Sequence, residues 1–141
     1  MGESQLSIAV LAFEDLSPEK DQEHFCDGIA EEIINNLAQM SDIRVAARTS
    51  AFAYKNKPED IRNIGKHLNV QAVLEGSVRK AQNRLRITTQ LIDVADGCHL
   101  WSEQFDREIS NIFEIQVEIA RNISRTLKIQ LSDKEKLAIK K

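Results

Sequence analysis

Residues 6–13, LSIAVLAF, are almost unbroken apolar positions between two polar segments. A run of that length, rich in Ile and Val, predicts a strand buried on both faces. EDLSPEKDQEH follows, and its Ser17-Pro18 step and dense charge predict a loop leading into a helix. From His24 to Met40, Cys26, Ile29, Ala30, Ile33, Leu37 and Met40 recur at spacings of three and four, which predicts a helix with one buried stripe. Gly28 inside that helix has a cost of about 1 kcal/mol against alanine, usually accepted for close packing. A short strand from Ile43 to Ala47 comes next, and a second helix near Pro58 to Leu68, with Pro58 suited to its first turn.

After Asn69 the period changes to two. Ala72, Leu74, Gly76 and Val78 alternate with Val73, Glu75, Ser77 and Arg79, and Leu85, Ile87, Thr89 and Leu91 with Arg84, Arg86, Thr88 and Gln90. Ala81-Gln82-Asn83 predicts a hairpin between these strands, and Asp96-Gly97 a type I′ turn into a third strand from Cys98 to Asp106. Alternation sends Trp101 and Phe105 to one face and Ser102, Gln104 and Asp106 to the other. Glu103 shares the apolar side, at the rim or at a bulge. The last element is a helix with Ile112, Phe113, Val117, Ile119, Ala120, Ile123 and Leu127 on its apolar face, opened by an Asn111/Glu114 capping box. Ser132 and Glu135 repeat the capping spacing and predict the start of another helix. The order β-α-β-α-β-β-β-α predicts a single α/β domain with a mixed sheet of about five strands and helices packed on it.

At 141 residues the chain is long enough to bury one core, and 42% apolar residues suffice to fill it. The expected layout is a linker start at 1–5, the domain at 6–131, and the beginning of a linker or next helix at 132–141. A net charge of −3 gives no general attraction to nucleic acid or anionic lipid. No apolar run has the length of a membrane span, and MGESQLS lacks a signal-peptide pattern, so direct membrane insertion is not expected. Cys26 and Cys98 lack CxxC spacing; two reduced, partly buried thiols are favoured over a disulfide, and the compartment stays open.

The chain contains no GxSxG, HExxH, Walker or GxGxxG pattern, and its histidines (His24, His67 and His99) sit on separate elements. No catalytic residue, cofactor or metal ligand is therefore assigned. The acids Glu14, Asp15, Glu19, Asp21, Glu23 and Asp27 lack the fixed spacing of a calcium loop and read as solvated charge favouring the next helix's N-terminus. Two candidate sites remain. Arg48, Thr49 and Ser50, with Lys55 nearby, follow a strand end and could hold an anion or a partner's carboxylate. If the apolar positions of the hairpin strands face the helices, Glu75, Arg79, Arg86, Gln90 and Asp106 lie on a polar face that a partner could use.

The segments IAVLAFEDLS, FCDGIAEEIINNLAQ, VAARTSAFAYK, IGKHLNVQAVLEGSVRK, RLRITTQLIDVADGCHLWSEQFDRE and IFEIQVEIARNI, in this order over residues 7–131, resemble the TolB-like amino-terminal domain family. The resemblance implies an α/β domain akin to the anticodon-binding domains of class II tRNA synthetases. It also implies a non-catalytic place in bacterial proteins, between an output module (a class III adenylate cyclase or a winged-helix domain) and tetratricopeptide repeats. Asp27, Gly28, Arg48, Thr49, Ser50, Glu75, Gly76, Ser77, Gln90, Asp93, Trp101 and Asp106 match its signature, while Cys26, Cys98 and Ala12 depart from it. The expected function is an interaction or sensory module contacting flanking domains or another protein, with homo-oligomers left open. The alternatives are a small-anion or nucleotide sensor, or a regulatory piece of a cyclase. The chain as it stands reads as cytoplasmic; the resemblance leaves a periplasmic parent open.

Overall fold

The computed structural model describes residues 6–40, 43–55, 57 and 59–140, with side chains as far as 129. Pro58 lies outside the described residues. The apolar run opens as strand β1, Leu6–Val10, buried throughout. Helix α1, Glu23–Ala38, lies on one face of the sheet and returns the chain to β3, Ile43–Val45. Two short helices, α2 (Arg48–Phe52) and α3 (Ile61–Leu68), cover the opposite face and lead to β4, Ala72–Ala81. The ten-residue strands β5, Arg84–Asp93, and β6, His99–Glu108, follow, and α4, Ile112–Lys140, lies beside α1. The sheet order is β3-β1-β4-β5-β6, parallel through β3, β1 and β4 and antiparallel from β4 to β6.

Two core regions flank the sheet. The larger one joins Ile8, Leu74, Ile87, Leu91 and Phe105 to Ile29, Ile33, Ile119 and Ile123 of α1 and α4. The smaller joins Ala9, Leu11 and Val73 to Ala51 of α2 and Ile64 of α3. Burying an aliphatic side chain contributes about 1.5–3 kcal/mol, so the α1/α4 side dominates stability.

Several sequence expectations are corrected. Glu14–Asp15 forms a short sixth strand, β2, parallel to β4 at Ser77 and Val78, where a loop was expected. Dense charge indicates exposure, and an exposed segment can still satisfy its backbone against a neighbouring strand. Arg48–Phe52 forms a short helix that the predicted element order did not contain. Helix α3 starts at Ile61, capped by Asp60, whose carboxylate accepts the Arg62 N–H at 2.8 Å. The Asp96-Gly97 connection is a longer loop rather than a type I′ turn. Only Gly97 takes positive φ there, at 74°, and its N–H donates to the Asp93 carbonyl at 2.8 Å. Helix α4 runs through Ser132 without interruption, so the second capping spacing opens no new helix. Its first cap is as expected: Asn111 Oδ1 accepts the Glu114 N–H at 3.2 Å. The ladder irregularity falls at Leu91/Ile92 and not at Glu103, which stands opposite Thr89. Cys98 is exposed rather than partly buried, Cys26 is buried, and both are free thiols. Trp101 is only partly buried against the core.

Candidate interaction site

The chain leaves β1 toward α1 on one face of the sheet and leaves β3 toward α2 and α3 on the other. Such a reversal opens a crevice at the carboxyl ends of the strands, where open α/β sheets commonly bind ligands. A cleft of about 670 Å³ lies there, lined by Glu14, Lys20, Tyr54, Lys57 and Glu75 among others. Asp15 organises its rim: its carboxylate accepts the Ser17 N–H at 2.9 Å and the Gln22 N–H at 2.7 Å. Ser17 Oγ in turn accepts the Lys80 N–H at 2.9 Å, latching the segment to β4. Burial alone would raise the Asp15 pKa, but the two backbone donors outweigh it and the net shift is downward. Sequence reading gave these acids only a general electrostatic role. The Asp15-x-Ser17 spacing of a side-chain-to-backbone turn was the local signal available.

The four anion candidates do not form one pocket of free donors. Arg48 pairs with Glu31 of α1 at 2.9 Å, and its guanidinium lies 4.6 Å from the Phe52 ring centre. Lys55 bonds Glu23 and, at 3.1 Å, Asp27, both on α1. Those carboxylates, Glu23 first, raise the Lys55 pKa against a smaller effect of burial. Thr49 and Ser50 are exposed on α2. As they stand, the two cations tie α2 and the following loop to α1 across the edge of the sheet.

The five sheet-face candidates do share one surface. Val73 is covered by the α3 layer, but beyond it the same side of β4 carries Glu75, Ser77 and Arg79. Next to them stand Gln90, Thr88 and Arg86 of β5, and then Ser102, Gln104 and Asp106 of β6. Arg86 Nε donates to Asp106 Oδ1 at 2.9 Å, and this bond holds the Asp106 carboxyl below its usual range. Arg79 stands directly opposite Arg86, an unfavourable like-charge pair that Asp106 relieves on one side only. Glu75 is half-buried near the cleft, and burial raises its pKa, with His99 opposing and Glu14 adding. His67 accepts or donates a hydrogen bond with the Tyr54 hydroxyl on the far side of the cleft. Among the described residues, no group of three or more His, Cys, Asp or Glu side chains could hold a metal ion. No described helix is long and apolar enough to cross a membrane.

Sequence comparison gives the family. The profile described as "HilA/YgeH-like transcriptional regulator, second domain" matches residues 4–122. The chain belongs to that family. The resemblance to TolB-like domains is supported by solved structures as a likeness of fold. TolB from Acinetobacter baumannii superimposes with a TM-score of 0.58 at 16% identity, over 87% of this chain and 28% of that one. The PelC dodecamer from Paraburkholderia phytofirmans gives 0.59 at 20% identity, over 86% of this chain and 88% of that one. A Rhizobium meliloti (strain 1021) protein named "Putative adenylate cyclase 3" is 48% identical over 126 residues. Those residues are 89% of this chain and 22% of that protein, so the chain spans about a fifth of this relative's length.

Proposed function

We propose that the domain is a non-catalytic contact module of a larger regulatory protein, and that its contact surface is the polar face of β4, β5 and β6. The observation carrying this reading is the asymmetry of cover on three long strands. One face packs its apolar residues against α1 and α4, while Arg79, Arg86, Gln104 and Asp106 on the other stand without a covering layer among the described residues. A surface of fixed arginines and carboxylates on a rigid sheet suits recognition by charge complementarity, which selects partner and orientation. The relatives support it. The family name concerns transcriptional regulators and a 48% identical relative carries a cyclase name, which fits a domain used beside more than one kind of output. In this reading the domain couples such an output unit to a neighbouring unit, for which helical repeats are one candidate.

Arg79→Glu in the full parent protein is the test. Arg79 is exposed and has no ion-pair partner among the described residues, so its reversal should leave stability within about 0.5 kcal/mol. Output activity and hydrogen-exchange protection of β4–β6 should both change relative to the unaltered parent. Unchanged output together with protection equal to that of the isolated domain rejects the reading.

A second reading, binding of a small anion, has one observation behind it: Lys20, Lys55 and Lys57 line the cleft at the strand ends. An anion there must draw Lys55 away from Glu23 and Asp27. Ligand at a hundred times its Kd should stabilise the domain by about 2.7 kcal/mol, so thermal shift with phosphate and nucleotides decides it.

A further inference from the structure

We propose that the cleft at the strand ends takes a small organic ligand by its ammonium group, held between Glu75 and Glu14, with the ligand's apolar body against Leu11 and Ile61. The proposal does not rest on the polar-face reading, and it gives the cleft a ligand of opposite charge to the anion reading.

The partners of the charges lining the cleft decide the sign of the ligand. Five carboxylates and three ammonium groups line it. Lys55 is held by Glu23 and Asp27, and Lys20 donates to the Asp15 carbonyl at 2.9 Å. The Asp15 carboxylate accepts two backbone N–H groups, and Glu59 accepts the Asn63 side-chain amide at 3.2 Å. Among the described residues, Glu14, Glu75 and Lys57 are left without a side-chain hydrogen bond or ion pair. An entering anion meets a net negative lining and must break the Lys55 pairs. An ammonium group meets two free carboxylates and breaks nothing.

Those two carboxylates share one side of the sheet. Glu14 stands opposite Ser77 in the parallel β2–β4 pair, and Ser77 projects from the same face of β4 as Glu75. Strands about 4.8 Å apart, rising about 3.3 Å per residue, put their Cα atoms about 8 Å apart, a gap that two glutamate side chains can close on one ammonium group. Glu75 is half-buried; burial raises its pKa, with His99 opposing and Glu14 adding. A desolvated carboxylate without a donor costs stability, and ionisable groups held that way in a cleft concentrate at functional sites. An ammonium ligand supplies the missing donors. At about 670 Å³ the cleft lies within the range of about 300–1,000 Å³ for small-molecule sites. Buried Leu11 and Ile64 and half-buried Ile61 give it an apolar lining, so the ligand carries a hydrocarbon body beside its charge. Lys57, left free in the same lining, separates two sources of the ammonium group: an amino acid has a carboxylate for it to bind, and a plain amine has none.

Thermal shift and titration calorimetry on the whole chain test this with phenethylamine, phenylalanine, N-acetylphenethylamine and inorganic phosphate. Phenethylamine at ten times its Kd should raise the melting temperature by about 5 °C, and the neutral N-acetyl form should not. Glu75→Gln, which keeps the side chain's size, should weaken phenethylamine binding by about tenfold or more. Glu14→Gln, at the more exposed position, should weaken it by about two- to fivefold. The phenylalanine arm assigns the source. Binding tighter than the amine's and weakened by Lys57→Gln identifies an amino acid, whereas weaker binding unmoved by Lys57→Gln identifies a plain amine. No shift with either ammonium compound up to about 10 mM, an equal shift with the N-acetyl form, affinity unchanged in both glutamine variants, or a shift with phosphate alone would each overturn the proposal.

Discussion

Gly76→Ala should destabilise the domain by about 1–2 kcal/mol, although alanine is the better strand residue. Gly76 stands opposite Thr89 in β4, on the face toward α1 and α4. A Cβ there would lie 2.6 Å from Cε2 and 2.7 Å from Cζ of Phe13, and 2.8 Å from the Thr88 carbonyl oxygen. Phe13 is 2% exposed, and the oxygen belongs to the β5 backbone, so neither can give way cheaply. Relief of glycine's extra chain entropy contributes about 0.5–1 kcal/mol toward stability. Overpacking of a rigid core costs about 1–3 kcal/mol and wins. Urea unfolding should show a lower midpoint with an unchanged m-value. Phe13→Leu removes the ring that supplies two of the three contacts, so the two substitutions together should cost less than their sum. An alanine variant as stable as the parent, or strict additivity with Phe13→Leu, would refute this account of how β1 and β2 are set against β4.

Three further outcomes follow from single side chains. Ser124 Oγ is buried on α4 without a hydrogen-bond partner among the described residues, so Ser124→Ala should raise stability by about 1 kcal/mol in the same urea assay; a loss would show that the hydroxyl has a partner after all. Glu75, raised by burial, binds its proton more readily folded than unfolded. Its contribution is present below the usual value of 4.5 and lost as pH rises through the folded-state pKa, so Glu75→Gln should gain stability over the parent above that window. Parallel melting profiles from pH 4 to 8 would contradict this. Cys26, its pKa pushed to about 12 by burial, should react with a thiol reagent only after unfolding, whereas the exposed Cys98 should react at once; two equal fast phases would place Cys26 in solvent.

How much of this was legible in the sequence depends on the range of the interaction. Period-two alternation in β4, β5 and β6 fixed which residues face the helices, because one face of each strand is apolar and a one-residue slip would bury Arg86 or Glu75. The helix stripe of α1 was equally plain: Cys26, Ile29, Ala30, Ile33 and Leu37 are all buried. Glu14–Asp15 was not legible as a strand, since its pairing with Ser77 and Val78 is set by a distant partner rather than by its own composition. The Asp96-Gly97 pair signalled a turn correctly, but the turn's length follows from Asp93 accepting the Gly97 N–H, which a dipeptide rule does not contain.

The same distinction separates the two candidate sites. Arg48, Thr49, Ser50 and Lys55 are close in sequence and drew attention as a local motif, yet their charges are answered from α1, Lys55 by residues 28 and 32 positions earlier. Sequence proximity cannot reveal a neutralising partner brought in by a crossover connection. The sheet-face set needed only alternation and hairpin register, both local, and its five residues lie on one face of β4, β5 and β6. Within that set the partners again divide the residues: Asp106 takes Arg86, while Arg79, opposite the same arginine, has no carboxylate among the described residues. An acidic group arriving from outside would therefore gain most at Arg79, where it relieves a repulsion already built into the sheet and breaks no existing ion pair. That makes Arg79, more than the better-connected Arg86, the position at which charge reversal separates a partner's loss from damage to the fold.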